Sequence, residues 1–229
     1  MTFTKRNMRL GLGVIFLVTL VIYSRGLSGP LIFDDLPNLS QNPLLQIDGH
    51  VFDDWRAAMF SAEAGPLRRP IALLSFALNY VVQGEFDAYS LKAVNLGLHL
   101  VTGYLIYLLA VGVFSSPAMN QMSAKHLQLA SLAAMAVWLL HPLHVSTVLY
   151  VVQRMAQLST LFMVLGLWWY VNNRLVWAKT GATSGELLAT TLWLLFIVAL
   201  AAYSKENGLL LPWLLVVVEV TLFRGVWNG

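Results

Sequence analysis

Apolar runs long enough to cross a bilayer recur along almost the whole of this chain. The clearest run, residues 93–114, contains no Asp, Glu, Lys or Arg. A transmembrane helix needs about 20 mostly apolar residues. Backbone groups must pair within the protein in lipid, and the runs are continuous rather than alternating, so they predict helices. The chain is therefore predicted to be an all-α integral membrane protein.

Composition points to the same class. Hydrophobic residues make up 58% of the 229 residues, charged residues make up 11%, and mean hydropathy is +0.70. Soluble domains average about 45–50% apolar and about 25% charged residues. The absence of cysteine excludes disulfides, a thiol nucleophile and Cys-based metal sites. A net charge of +3 without a basic run gives no support for nucleic-acid binding.

About six transmembrane helices are expected, within a single membrane domain over residues 1–229. The first apolar stretch could instead be a signal peptide, since Lys5, Arg6 and Arg9 precede or open it. No clear cleavage site follows and five more spans do, which favours a retained anchor. The expected spans are residues 8–24, 93–114, 127–140, 145–171, 187–203 and 209–223.

Basic residues set the expected orientation, because short cytoplasmic loops are enriched in Lys and Arg. With the N-terminus inside, the inner loops and helix ends receive Lys5, Arg6, Arg9, Lys125, Arg174, Lys179 and Arg224. The outer side then receives residues 25–90, 141–144 and 204–208. This pattern predicts a protein of the cytoplasmic (inner) membrane, with both termini inside.

The first extracytoplasmic loop, residues 25–90, is too long for a simple connector. It is rich in Phe, Trp, Leu and Ile, which predicts folded rather than disordered structure. Residues 52–60 are typical of a short amphipathic helix. Pro70 is expected at the first position of a second helix, too short to span and lying at the membrane interface.

An acidic pair follows the first span closely. Asp34 and Asp35 precede Pro37 and Asn38, so they are expected on a turn above the bilayer surface. Two neighbouring carboxylates repel each other, which can raise the pKa of one of them and suit it to general-base chemistry. The alternative is a turn whose acids only cap the next segment.

Several ionisable residues lie in or beside the later spans, where such groups often mark function. His141 and His144 could bind an ion or a phosphate together, or could be interfacial histidines at a proline turn. Arg154, expected two to three turns into the fourth span, must face a cavity, pair with an acid or extend to the surface.

The remaining charged residues divide between the two sides. Lys205 and Glu206 are expected at an outer helix end, where they could equally form a solvated pair. Glu219 is expected either to pair with Arg224 or to cap the packing between helices, and it is given no catalytic role. Together with Arg68 and Arg69, the outer groups predict one outward cavity that holds acids and cations. Such a cavity suits an anionic, lipid-linked substrate.

Five strings in this order carry a family resemblance. They are FDDLPNLSQNPLL, LRRPIALLSFALNYVVQG, YSLKAVNLGLHL, WLLHPLHVSTVLYVVQRMAQLSTLF and YSKENGLLLPWLLVVVE. Over residues 33–219 the chain resembles the membrane half of the transmembrane-and-tetratricopeptide-repeat proteins. These belong to the GT-C superfamily of glycosyltransferases, which use lipid-phosphate sugars and include protein O-mannosyltransferases.

The resemblance implies a sugar donor carried on a polyprenyl phosphate and an acceptor hydroxyl, expected on a protein. It implies that Asp34 is the reactive acid and Asp35 its supporting neighbour, with a divalent metal ion as an optional cofactor. It further implies that Arg69, Arg154 and Lys205 contact the donor phosphate. His141, His144 and Glu206 are expected to line the same substrate site, and membrane lipid and an acceptor protein are the expected partners.

Two departures from the family pattern limit these implications. Family members usually carry a Gly-Arg-Ala-Asp-like string where this chain has QRMA at 153–156, so any role of that acid cannot be carried over. No 34-residue repeat follows the spans, so the chain is expected to be a truncated version or a short homologue. A non-catalytic membrane subunit or scaffold is therefore the alternative. A transporter or channel is less favoured, because paired inverted repeats are absent from the sequence.

Overall fold

The computed structural model describes residues 5–62, 65–119 and 122–225. These residues form helices, turns and loops, with no strand among them, so the all-α prediction is confirmed. The helices are α1 (Lys5–Ser24), α2 (Phe52–Met59), α3 (Pro70–Gln83), α4 (Ala88–Phe114), α5 (Ala124–Leu140), α6 (His144–Leu149), α7 (Arg154–Thr180), α8 (Ser184–Ser204) and α9 (Leu211–Val218).

Five helical segments of the described chain are long and apolar enough to cross a membrane. They are Lys5–Ser24, Ala88–Phe114, Val151–Thr180, Ser184–Ser204 and Glu206–Phe223. The expected third span corresponds to α5, whose 17 residues are at the short end of the spanning range. It lies antiparallel to α4, with His99 Nε2 3.1 Å from the Leu139 carbonyl and the Tyr107 hydroxyl 2.6 Å from Gln128. The described residues thus form a multi-pass membrane protein with five segments able to span, while α5 is a shorter apolar helix and the sixth span stays a prediction.

The expected fourth span, residues 145–171, is not one continuous helix. α6 ends before Tyr150, whose ψ of 107° is extended, and a 3₁₀ turn at Val151–Gln153 leads into α7. Arg154 therefore lies in the first turn of the spanning helix and not two to three turns inside it. The break arises because a side chain from the first loop takes up backbone N–H groups at this junction, as described below.

Glycines allow the long helices to pack closely. A Cβ atom at Gly103 would collide with Leu139, and one at Gly112 would press into Val171. Small residues serve this purpose in membrane helix pairs generally. Because Asn95 contacts Arg154 while Gly112 meets Val171, α4 and α7 run parallel.

The helix directions show which helix ends lie together. α8 runs antiparallel to α7, since Ser159 contacts Lys205 while Gly166 faces Ile197. The starts of α4 and α7 and the ends of α5 and α8 therefore lie at one end of the bundle, which we call the site end. The described candidate residues of the sequence analysis all lie there, apart from Glu219.

The first loop folds onto the site end. It contains α2, α3 and two single turns at Leu36–Ser40 and Pro43–Leu45. Pro70 is the first residue of α3, as predicted. α3 packs with the protein rather than lying free at the interface, because Leu73 and Phe76 are buried in a cluster with Leu39, Val151 and Met155. This cluster joins the loop to the start of α7.

At the opposite end, Glu219 pairs with Arg174 and not with Arg224 as expected. The Arg174 guanidinium donates to both carboxylate oxygens at 2.7–2.8 Å, and the Tyr170 hydroxyl donates to one of them at 2.7 Å. The guanidinium also stacks 4.7 Å from the Phe223 ring. The last span is thereby fastened to α7. The chain ends, residues 1–4 and 226–229, lie outside the described residues, so the inside position of both termini stays a prediction.

Candidate functional site

The two acids of the acidic turn have opposite environments. Asp35 is fully buried. Its carboxylate accepts backbone N–H groups of Ile32 at 3.3 Å, Val151 at 3.3 Å and Val152 at 2.7 Å. The last two belong to the 3₁₀ turn before α7, so Asp35 creates the break between α6 and α7. Asp35 is a positioning residue that ties the first loop to the spanning helix.

Burial raises the pKa of Asp35, while the three backbone N–H groups and the nearby Lys92 ammonium act in the opposite direction. Sequence reasoning anticipated a raised pKa from repulsion between the two acids, but the cause here is desolvation. Lys92 is itself buried and donates to the carbonyls of Gly29 at 2.6 Å and Pro30 at 3.0 Å. Lys92 therefore holds the segment just before the acidic turn, and Val151 and Val152 hold the turn itself.

Asp34 is exposed. Its backbone N–H donates to the Tyr150 hydroxyl at 3.0 Å, and its carbonyl accepts from Asn38 Nδ2 at 2.8 Å. The preceding residue, Phe33, has a φ of 47° and packs edge-to-face on Tyr150 at 6.3 Å. A non-glycine residue in this region costs about 1–3 kcal/mol and is held by its surroundings. The contacts that fix the turn use the backbone of Asp34 and leave its carboxylate at the surface.

Tyr150 contacts the acidic turn from the bundle side, through the 3.0 Å bond between its hydroxyl and the Asp34 N–H. Burial raises the pKa of its phenol, and the neighbouring Asp34 carboxylate adds to that increase. The phenol is therefore protonated at neutral pH. The Tyr150 oxygen accepts the Asp34 N–H, and its own O–H can at the same time donate to another group beside Asp34.

A wide groove begins just after the acidic turn, at Pro37 and Asn38, and runs to Leu73 of α3. Its volume is about 500 Å³, and its polar lining includes Asn38, Gln41, Asn42 and Ser61. Leu73, in the first turn of α3, forms its far side. The groove thus extends from the residue that holds Asp34 to the helix that begins next to Arg69.

Arg69 precedes α3 with a left-handed φ of 51°, directly after Arg68 at 53°. Its Nε lies 3.2–3.3 Å from both carboxylate oxygens of Glu206, and its Nη1 contacts the Met155 sulfur at 3.5 Å. A Cβ atom at Gly65 would collide with the same carboxylate. The pair is partly exposed, and it links the end of the first loop to the segment after α8.

Lys205 occupies the extended residue between α8 and a 3₁₀ turn at Glu206–Leu210. Its carbonyl accepts the Ser159 hydroxyl at 3.4 Å, and its side chain is half-buried. With Arg69 and Glu206 it forms a cluster of net charge +1, which we call the cationic cluster. The cluster retains one positive charge that could meet an anionic group.

Arg154 has a different place from the one expected. Its side chain is fully buried, beneath the surface and away from the cationic cluster. The guanidinium donates to Asn95 Oδ1 (2.8 Å), Asn79 Oδ1 (2.7 Å) and two carbonyls, those of Ser75 (3.0 Å) and Leu91 (2.9 Å). It also lies 4.4 Å from the centre of the Phe76 ring. Arg154 therefore fastens α3 and α4 to α7, and its donors are directed at protein oxygens.

The two histidines do not converge on one ligand. His141 is exposed, and its Nδ1 accepts the Leu143 N–H at 3.3 Å. His144 turns inward, with its ring 4.3 Å from that of Trp138 and 6.2 Å from that of His141. Burial, and then the proximity of His141, lower the pKa of His144, so its ring is neutral at pH 7. Among the described residues, no group of three or more His, Asp or Glu side chains is arranged to hold a metal ion.

Sequence reasoning missed Lys92, Asn95 and Tyr150. Lys92 and Asn95 stand in an otherwise apolar span, and polar groups at membrane depth are a recognisable sign of function or structure. Their signal was therefore available. Tyr150 carried no such signal, because its role depends on the break between α6 and α7.

Comparison with known proteins gives several relatives. Over 206 residues the chain is 31% identical to protein O-mannosyl-transferase TMTC4 of Homo sapiens, an alignment that covers 84% of this chain and 27% of that protein. It is 26% identical over 220 residues to protein O-mannosyl-transferase TMTC3 of Homo sapiens (91% and 21%). It is 27% identical over 213 residues to protein O-mannosyl-transferase tmtc2 of Xenopus laevis (90% and 23%).

The chain spans about a quarter of the length of the curated relatives it matches. No protein-family model matches the chain. No solved structure matches it. The family resemblance found in the sequence is nevertheless confirmed by the named relatives: over most of its length, this chain is similar to part of several proteins named protein O-mannosyl-transferases.

Proposed function

We propose that this chain forms part of a membrane glycosyltransferase. It transfers a sugar from a polyprenyl-phosphate donor to a hydroxyl group of an acceptor protein, on the outer face of the membrane. The observation that carries the proposal is the contrast between the two acids: Asp35 is buried and accepts three N–H groups, while Asp34 is exposed and its carbonyl is bonded to Asn38, which lines the groove. The names of the relatives supply the class of reaction.

In this reaction the acceptor oxygen forms a bond to the anomeric carbon of the sugar. The bond between that carbon and the phosphate oxygen breaks, and the polyprenyl phosphate leaves with the electron pair. The Asp34 carboxylate takes the proton of the acceptor hydroxyl as general base, which typically contributes about 10²–10⁴-fold in rate. The polar groove beside Asp34 is where an acceptor segment would lie.

The leaving phosphate needs a nearby positive charge. Lys205 and Arg69 of the cationic cluster are the residues proposed to meet it, because they are partly exposed. Arg154 is proposed as a positioning residue rather than a phosphate ligand, because its guanidinium donates to Asn79, Asn95 and two carbonyls. A divalent metal ion near Asp34 stays an untested part of the proposal.

The proposal is tested by comparing Asp34→Asn with Asp35→Asn in the longest natural form of the protein. Sugar transfer from a polyprenyl-phosphate donor is measured alongside the amount of folded, membrane-inserted protein. Asp34→Asn should leave the amount of folded protein unchanged and lower the rate about 10²–10⁴-fold. Asp35→Asn should lower the amount of folded protein, because an amide cannot accept all three N–H groups as well as a carboxylate.

Equal rates for Asp34→Asn and the parent protein, at equal folded amounts, would remove Asp34 from the chemistry. Transfer-inactive parent protein that still binds the polyprenyl-phosphate ligand would instead favour the non-catalytic subunit. Asp48→Asn, elsewhere in the same loop, is the matched control and should retain full activity.

A further inference from the structure

The short helix α6 presents apolar side chains to its surroundings and directs two polar side chains into the protein. Leu143, directly before the helix, is 75% exposed, and Val145 is 44% exposed. His144 and Thr147 instead line a cavity between α6 and the helices α4, α5 and α7. A helix at a water surface has its apolar stripe toward the core and its polar residues outward. The outer face of α6 therefore has the pattern of a helix whose surroundings are apolar.

The backbone at the turn into α6 is hydrogen-bonded within the protein. The N–H groups of His144 and Val145 each donate to the carbonyl three residues earlier, at 3.0 and 3.2 Å. The Leu143 N–H donates to the ring nitrogen Nδ1 of His141 at 3.3 Å. Ser146, the exposed polar residue of α6, donates to the Leu143 carbonyl at 3.2 Å. Donors in lipid must be paired in this way, because no water is there to accept from them.

Helix α4 gives the depth of α6, because its run without charged side chains begins at Ala93. His99 lies six residues further along, which is about 9 Å at 1.5 Å per residue. The His99 ring contacts the Leu139 carbonyl near the end of α5, and its centre is 5.3 Å from that of the His144 ring. The end of α5 and the start of α6 therefore lie deeper than the beginning of the apolar run of α4.

The outer face of α6 also adjoins the lipid-facing surface of α1. Val21, in the last turn of α1, is 60% exposed, and α1 is long and apolar enough to span. Tyr23 of α1 shares a buried cluster with Val148 of α6. Just after α1, Gly26 packs so closely on Leu149 that a Cβ atom there would collide with it. The lipid that surrounds the end of α1 is therefore next to α6 as well.

We propose that α6 is immersed in the membrane leaflet at the site end, with Leu143 and Val145 among phospholipid acyl chains. The helix does not span; it lies in the leaflet between the end of α5 and the start of α7. The inverted side-chain pattern, the paired backbone, the depth and the contact with α1 each support this position.

The position of α6 also sets the depth of the acidic turn. Asp35 accepts the Val151 N–H at 3.3 Å, and Asn95 donates to the Val151 carbonyl at 3.2 Å. Asn95 is two residues inside the uncharged run of α4. The neighbouring Phe33 is 78% exposed, as an aromatic side chain at a membrane interface would be. The acidic turn then lies at the boundary of the lipid rather than above the bilayer.

The test uses single spin labels on the purified full chain, which has no native cysteine. Leu143→Cys and Val145→Cys are labelled with a nitroxide in nanodiscs of palmitoyl-oleoyl phosphatidylcholine. Helix α4 supplies matched reference positions: Glu85→Cys, exposed and before its start, and Val94→Cys and Val101→Cys on its exposed side. Power-saturation electron paramagnetic resonance measures collisions of each label with oxygen, which dissolves in lipid, and with a water-soluble nickel chelate.

The labels at Leu143 and Val145 should collide with oxygen and lose the nickel response that the Glu85 label shows. Their depth should fall between the Val94 and Val101 labels. A nickel response equal to that of the Glu85 label, in folded protein, would place α6 in water and overturn the proposal. Weak responses to both reagents would show that protein, such as a second copy of the chain, covers this face, and would overturn it equally. Neither result depends on sugar transfer or on which end of the bundle faces outside.

Discussion

Two arginines on α7, twenty residues apart, are both fully buried but are stabilised in different ways. Arg174 forms an ion pair with Glu219, so the net charge at that end of the helix is cancelled. Arg154 is surrounded by neutral oxygens, and no carboxylate of the described residues lies within ion-pairing distance of it. Arg174 therefore forms a neutral ion pair, whereas Arg154, at the site end, keeps its positive charge inside the protein.

The difference shows that buried positive charge is retained at the site end of the bundle. Burying an uncompensated charge is unfavourable unless several hydrogen bonds satisfy it. The site end accepts this cost at Arg154, and its cationic cluster also has one positive charge in excess. An anionic donor near the site end would be attracted by both. Among the described residues, the other end has no comparable buried excess charge.

The largest expected effect is the loss of Arg154. Arg154→Met would leave the oxygens of Ser75, Asn79, Leu91 and Asn95 without their donor, and each orphaned buried acceptor costs about 1–3 kcal/mol. We expect the free energy of unfolding to fall by at least about 4 kcal/mol, measured by denaturant titration in bicelles or nanodiscs. Because Arg154 has no acidic partner among the described residues, replacing an acidic residue as well should not restore the stability. A stable Arg154→Met protein would contradict the structural role given to this residue.

The second prediction concerns the clasp at the opposite end. Glu219→Gln leaves Arg174 buried without its carboxylate, and breaking a buried pair costs about 3–5 kcal/mol. Because the lost term is the pair, Arg174→Gln combined with Glu219→Gln should recover a large part of it. A double-mutant cycle gives the coupling energy. Additive losses would show that the two side chains do not act as a pair.

The smallest expected effect is on anion binding at the surface. Lys205→Gln removes one partly exposed cation of the site end, and a hydrogen bond to a charged group contributes about 1.5–3 kcal/mol. Binding of polyprenyl phosphate in nanodiscs should weaken by about tenfold or more. Lys179→Gln, at the opposite end of α7, is the matched control and should bind as the parent does. Equal binding in Lys205→Gln and Lys179→Gln would place the phosphate elsewhere.

Much of the fold follows from sequence because hydrophobicity and length act locally. The spans, the helical first loop and Pro70 at the start of α3 could be predicted from residues close together in the chain. The gathering of the candidate residues at one end also followed, since it depends only on counting spans. The 17-residue α5 was harder to classify, because its length is near the limit of what crosses a bilayer.

The details of the site depend on contacts between distant residues, and sequence spacing does not contain them. Asp34 and Asp35 are neighbours, yet only the structure shows that the Asp35 carboxylate accepts the backbone N–H groups of Val151 and Val152. The family resemblance implied that Arg154 contacts the donor phosphate, while its place in a span left a cavity, an acidic partner or the surface open. Its partners are amide and carbonyl oxygens, which no charge pattern reveals. Glu219 likewise pairs with Arg174 of α7 rather than with Arg224, which is closer to it in the sequence.

The bonds from Asp35 to Val151 and Val152 also impose an order on biosynthesis. The two sides of this contact are 116 and 117 residues apart. At about 5–20 residues per second, the ribosome reaches Val151 roughly 6–23 seconds after Asp35. During that interval the Asp35 carboxylate has the nearby Ile32 N–H but lacks the two donors from Val151 and Val152. It acquires its final contacts only when the start of α7 is in place, so completion of the site reports that the third long segment has been delivered.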